Sequence, residues 1–271
     1  MKITALSPIT FLICLWLVSC TPEATPFPVD IPTIGSTSAP NSQFTVRYAL
    51  AANTENLVSD LAVIQAETQV EQLTEPVNND DLGNRYDLVA AYGDLVDGTR
   101  SPIVHHIALV INPSIPPLDN TILIDILRRS LDTQAIVNAV DISGAEANVF
   151  DSSSPVILRT ELANAGWPDG LKLILAYAYT PGAATVAEYL GLAGIHAQLL
   201  ALTENEVIMT FAEDRIQAAL ITWKTAEERE SWVSQFRSEN VIDLYSIPIS
   251  YVVVSGLNVE FTTSGWPIPA K

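Results

Sequence analysis

The sequence predicts an α/β protein whose body is built on mixed, mostly parallel sheets with flanking helices. Three observations predict it. Apolar runs of strand length alternate with helix-period segments, most clearly in the second half, and such alternation marks strand–helix–strand units. Cap and turn residues punctuate that alternation: Asp132, Ser154-Pro155, Gly166, Thr180-Pro181-Gly182 and Thr225 stand where an element must start or stop. Hydrophobic residues make up 48% of the chain and charged residues 16%, a composition that buries a core and argues against disorder.

The elements follow in order. Phe44 to Leu50 alternates and is β-rich, so it reads as a strand. A helix is expected between Asn56 and Leu73, stopped by Pro76. Tyr86 to Tyr92 is a short apolar strand that breaks at Gly93, and Ile107 to Ile111 is a second one ending at Asn112-Pro113. The run from Pro113 to Pro117 cannot be helical and reads as a crossing between halves. Asp119 or Asn120 can cap a helix carrying Leu123, Ile124, Leu127 and Leu131, and Asp132 a second one through Ile136 and Val140. Ser154-Pro155 starts a helix that ends near Ala165-Gly166. Leu171 to Tyr179 is a strand, and Thr180-Pro181-Gly182 turns it into a helix with Val186, Tyr189 and Leu190. Ile195 to Leu202 is a strand, Glu204 to Phe211 a helix and Ile216 to Ile221 a strand. Thr225 caps an acidic helix bearing Trp232, Val233 and Phe236. Val241 to Val254 is extended and broken by Pro248, and Val259 to Thr262 is a last strand.

The first 43 residues differ in kind from this body. Lys2 precedes an apolar run from Ile9 to Val18 that ends Leu17-Val18-Ser19-Cys20. This segment resembles a bacterial lipoprotein signal peptide, residues 1–19, with Cys20 as the lipidated first residue of the mature chain. The resemblance implies a protein held outside the cytoplasmic membrane by acyl chains such as palmitate. An ordinary secretory leader with a chance cysteine is the alternative. Residues 20–43 are rich in Pro, Ser and Thr and read as an extended linker.

Charge and cysteine content exclude several classes. The net charge is −18, from 13 basic and 31 acidic side chains. Nucleic acid is excluded as a non-specific partner, because that binding needs Lys and Arg to displace counterions. Anionic lipid should repel the surface, so the lipid tail must do the anchoring. The two cysteines are Cys14 and Cys20, which leaves the body without a disulfide, a thiol nucleophile or a cysteine zinc site. His105 and His106 are adjacent, and on a strand they point to opposite faces, so they cannot share a metal ion. No metal or cofactor is expected. No Gly-x-Ser-x-Gly, His-Glu-x-x-His or Walker pattern is present, and an enzyme is not expected.

The block from Leu127 to Val137 resembles a helix pair of the extracytoplasmic solute-binding proteins of ABC peptide importers. So do Glu161 to Gly170 with Leu171-Lys172-Leu173 after it, the helix through Ala187-Glu188-Tyr189-Leu190, the strand after Gly194-Ile195, and Ala219 to Trp223. The strand ending in Asn112-Pro113 is similar to the hinge-entering strand of the smaller type 2 periplasmic binding proteins. The resemblance implies a two-lobed clamp: lobe 1 over residues 44–112, lobe 2 over 113–243, and a return to lobe 1 over 244–271. It implies a small-molecule solute held in the cleft, a membrane permease as partner and a monomeric receptor. The chain departs from the peptide binders in length, since those are roughly twice as long and carry an extra domain. An envelope interaction or sensory lipoprotein with the same fold is the rival reading.

Candidate ligand residues follow from strand ends and helix starts, where free N–H groups gather. Thr180, Gly182 and Thr185 open a helix, with plain capping as the alternative. Tyr92 and Asp94 end a strand of the first lobe, with a surface turn as the alternative. Asn112 ends the hinge-entering strand. Trp223 ends another strand, and Tyr245, like Tyr251, flanks the return crossing. These aromatics suit either a pocket wall or a core. Arg128-Arg129 more simply satisfies a helix end or acidic neighbours than an anion, and Glu227-Glu228-Arg229-Glu230 reads as a solvated first turn.

Overall fold

In the computed structural model, which describes residues 46–50, 58–73, 81–178 and 180–270, the helices start where their cap residues stand. The leader, Cys20, the linker and Phe44 lie outside the described residues. Helix α2 (Thr121–Arg129) begins at Asn120, whose side chain accepts from the Ile122 N–H. Helix α3 (Thr133–Val140) begins at Asp132, whose carboxylate accepts from Ala135. Helix α4 (Pro155–Asn164) takes Pro155 in its first turn, and Gly166 at φ +100 follows its C-cap. Helices α5 (Ala183–Leu192), α6 (Glu204–Ala212) and α7 (Ala226–Phe236) follow, α6 with a full Thr203–Glu206 capping box. Helix α1 (Val58–Glu67) is the one helix among the described residues of the first part of the body.

Among the described residues eleven strands accompany them: β1 (Val46–Leu50), β2 (Thr68–Gln72), β3 (Leu88–Tyr92), β4 (Thr99–Ile111), β5 (Glu146–Ala147), β6 (Leu171–Tyr177), β7 (Ile195–Ala201), β8 (Ala218–Trp223), β9 (Val241–Val253), β10 (Val259–Phe261) and β11 (Pro267–Pro269). Nine form one sheet in the order β2-β1-β3-β9-β4-β8-β6-β7, with β5 added to β9, and β10 and β11 form a separate hairpin-like pair. The outer strands pair in parallel: β2-β1-β3 on one side and β8-β6-β7 on the other. The middle is antiparallel, because β4 and β9 run against each other along most of their 13 residues. The sheet is therefore mixed, with each parallel half attached to one long ribbon.

That ribbon corrects one expectation. The run from Pro113 to Pro117 joins β4 to α2 and is not the crossing; β4 and β9 themselves pass from one half to the other. Pro248 does not break β9, since it pairs with Val104 beside an irregularity in β4, where a missing N–H is tolerated. The expected lobe boundary at 112 falls just past β4, and the one at 243 falls inside β9. Residues 44–271 form one compact unit.

Two layers of helix cover the sheet. On one face, Leu123 and Leu127 of α2, Ile136 of α3, Leu158 and Leu162 of α4, and Val186 and Leu190 of α5 pack with Ile107, Leu109, Leu173, Leu175 and Leu220. Burial of each such side chain is worth roughly 1.5–3 kcal/mol. On the other face, Val207 and Phe211 of α6 and Trp232 and Phe236 of α7 lie over Ala108, Val110, Ala176, Ala219 and Ile221. Alanines on the strands make room for the helix aromatics, which contact one another: Phe236 meets Phe211 edge-on at 4.4 Å and stacks on Trp232 at 5.3 Å. No helix among the described residues is long and apolar enough to cross a membrane.

Candidate functional site

At the end of β6 the turn Thr180-Pro181-Gly182 leads into α5. Thr180 is buried and donates its hydroxyl to the Ala178 carbonyl at 3.1 Å. Gly182 sits at φ +79, and a Cβ there would lie 2.5 Å from Tyr245 Oη and 2.6 Å from Val140 Cγ2. Only glycine satisfies both the left-handed backbone and this close approach. Tyr245, fully buried on β9, donates its hydroxyl to the Pro181 carbonyl at 2.5 Å, and burial pushes its phenol pKa up, so it remains a donor. Thr185 lies half-buried on the first turn of α5. Among the described residues no side chain caps α5; its Ala183 N–H bonds the Thr180 carbonyl at 3.4 Å, which leaves the next N–H groups and the positive end of the dipole to a negative group.

One buried polar group has no partner beside this turn. Ile107 of β4 pairs with Thr222 on one side and Tyr245 on the other, so these three side chains share one face of the sheet. The Thr222 hydroxyl is buried and makes no hydrogen bond with any described residue. Thr180, Gly182, Thr185, Tyr245 and Thr222 thus gather at one end of the second half-sheet. The structure does not bring the remaining candidates to them as open groups.

Tyr92 is packed inside. Its ring meets His105 edge-on at 5.4 Å and Trp266 at 5.0 Å. His105 Nε2 lies 2.7 Å from the Ser264 carbonyl, an acceptor only, so that nitrogen carries the proton and Nδ1 accepts from Tyr92 Oη at 3.3 Å. Burial lowers the His105 pKa to about 4. Asp94 forms a two-pronged ion pair with Arg100, both contacts at 2.7 Å, and these bonds hold its carboxyl below the usual range. Asn112 is buried and bonds Asp214 at 3.0 Å, the Phe211 carbonyl at 3.3 Å and the Ser114 N–H at 3.0 Å. Trp223 is covered: His106 stacks on it at 5.6 Å and the Arg229 guanidinium lies 5.5 Å from its ring, held by Asp243 at 3.2 Å. His105 and His106 indeed turn to different neighbours. Arg129 pairs with Asp125 and Glu161.

Sequence reading missed three things. Thr222 carried no signal, being one threonine within a strand. A return of residues 244–271 is expected, but not its contacts: Trp266 is buried against Tyr92, Ser101 Oγ donates to the Gly265 carbonyl at 2.7 Å, and Lys224 Nζ bonds Ser264 Oγ at 3.0 Å. A groove of about 430 Å³ opens elsewhere, lined by Lys172, Leu173, Ile174, His196, Ala197, Gln198 and Gln217.

No protein-family model matches the chain, and no curated protein matches it in sequence. Solved structures do match. A dipeptide-binding protein from Pseudoalteromonas sp. SM9913, in complex with Met-Leu, has a TM-score of 0.52 and 12% identity over 73% of this chain and 57% of its own. NikA from Brucella suis, in complex with Fe(III)-EDTA, has a TM-score of 0.49 and 11% identity over 76% and 62%. A periplasmic oligopeptide-binding protein from Borrelia burgdorferi has a TM-score of 0.48 and 14% identity over 70% and 55%. The chain spans little more than half the length of these structures. Over the matched part, its fold is similar to that of the dipeptide-binding protein.

Proposed function

We propose that the chain is a lipid-anchored, extracytoplasmic solute-binding protein that captures a small solute for an ABC importer. The carrying observation is the end of the second half-sheet: an uncapped helix start, the Thr180 to Thr185 turn, Tyr245, and the unpartnered buried hydroxyl of Thr222. A solute carrying a carboxylate or similar acceptor would meet the α5 N–H groups and give Thr222 a partner. In this reading Tyr92, Asp94, Asn112 and Trp223 support the site through their internal contacts. The fold supports the same reading, because two half-sheets on a shared ribbon can flex against each other. The anchor rests on Ser19-Cys20 after an apolar run, and a monomer and a permease partner follow from the family resemblance.

A second reading has one observation in its favour. The C-terminal strand pair packs Trp266 on Tyr92 and ties Lys224 of the second half to Ser264. A chain that fills its own interior in this way suits an envelope interaction or sensory lipoprotein that passes nothing to a permease. A thermal-shift screen of the full chain against a solute library separates the two. A solute at a hundred times its Kd stabilises by about 2.7 kcal/mol, which raises Tm by roughly 5–10 °C. A flat response to every solute, with capture of one envelope protein, would favour the second reading and sink the first.

A further inference from the structure

The groove on β6 and β7 lies away from the α5 turn. Its residues sit at the beginnings of strands: Lys172 and Ile174 early in β6, His196 and Gln198 early in β7, and Gln217 just before β8. The α5 turn and Trp223 belong to the opposite ends of the same strands. Register places Lys172 beside His196 and Ile174 beside Gln198, so the four side chains form one patch on a single sheet face. Helices α6 and α7 cover that face over β4, β8 and the later part of β6, which leaves this corner open.

The groove carries a cation with no carboxylate beside it. The chain carries −18 overall, and most described basic side chains are paired: Arg47, Arg85, Arg100, Arg129, Arg215, Lys224 and Arg229 all hold carboxylates. Lys172 makes no ion pair with any described residue, and no Asp or Glu lines the groove. Gln217 spends its carbonyl oxygen on the Ile174 N–H at 2.9 Å, where the β8 ladder has not yet begun. Its amide N–H groups are left as donors, and no described residue bonds the side chains of Gln198 or His196. Ile174 supplies a half-buried apolar floor.

We propose that this groove binds a small organic monocarboxylate, its head on Lys172 and the glutamine amides and its tail along Ile174. A planar carboxylate presents two acceptor oxygens, which suits one ammonium flanked by neutral donors. A single cation in the field of so acidic a protein favours a monoanion over a phosphate dianion. The volume lies at the small end of ligand sites.

The test is NMR titration of the 15N-labelled full chain with acetate, butyrate and hexanoate, against inorganic phosphate and butylammonium at matched ionic strength. The expected result is saturable shifts of the Gln198 and Gln217 side-chain amides and the Ala197 backbone, tightening about two- to fourfold per added methylene. Lys172→Gln should weaken hexanoate at least tenfold, and Gln198→Glu should abolish it, with both variants keeping the wild-type spectrum elsewhere. Phosphate binding as tightly as hexanoate, shifts unaffected by Lys172→Gln, or shifts confined to Thr180–Thr185 would overturn the proposal.

Discussion

Among single residues, Thr222, Gly182 and His105 make the sharpest tests. Thr222→Val removes a buried hydroxyl that no described residue satisfies, so the ligand-free chain should gain about 1 kcal/mol in urea denaturation, while any solute response is lost. Gly182→Ala should cost about 2–4 kcal/mol, since it combines a strained backbone with collisions against Tyr245 and Val140. Burial lowers the His105 pKa from its ordinary 6.5 to about 4 in the folded chain. Its folded pKa is lowered, so its contribution is complete above pH 6.5 and fades as pH falls toward 4, a loss of roughly 3 kcal/mol. Urea denaturation at pH 7.5 and 4.5 checks this: in His105→Gln the difference between the two pH values should shrink by most of that amount. A loss just as steep in the variant would assign the acid sensitivity to the carboxylates instead.

The elements that could be read in advance were those whose neighbours lie close in sequence. In the second half, strand, turn and helix repeat, and Asn120, Asp132, Gly166 and Thr225 mark their own boundaries by local hydrogen bonds or backbone angle. What could not be read depends on distant partners. Strand β2, Thr-Gln-Val-Glu-Gln, is a largely polar edge whose only neighbour among the described strands is β1. The first half of β4 carries Thr99, Arg100 and Pro102 and is a strand because β9 lies beside it. Strand β11 has proline at both ends and is held by β10. The site shows the same division: Thr180 and Gly182 announce a turn, but their contact with Tyr245 spans more than 60 positions. Trp266 is the energetic centre of the C-terminal strand pair, so Trp266→Ala should cost about 3–5 kcal/mol. Limited proteolysis should then cut the segment after Val253 first, and early cleavage elsewhere would show that Trp266 does not hold this pair.

The whole molecule combines a strongly acidic surface with a sheet whose middle is antiparallel and whose wings are parallel. Its charge argues that any membrane attachment is through lipid. Cys20→Ser should therefore move the protein to the soluble fraction with an unchanged circular dichroism spectrum, and a variant still sedimenting with membranes would place the tether elsewhere. One property of the sheet reaches beyond the finished fold. Strand β9 lies between β3 and β4, yet both are translated long before it. A nascent chain that has left the ribosome only as far as α7 cannot close its sheet, because the plank joining the two wings has not been made. Non-local pairing of this kind folds slowly. Under the proposed export, that delay keeps the chain open for passage through a secretion channel, because the fold locks only after synthesis is nearly complete.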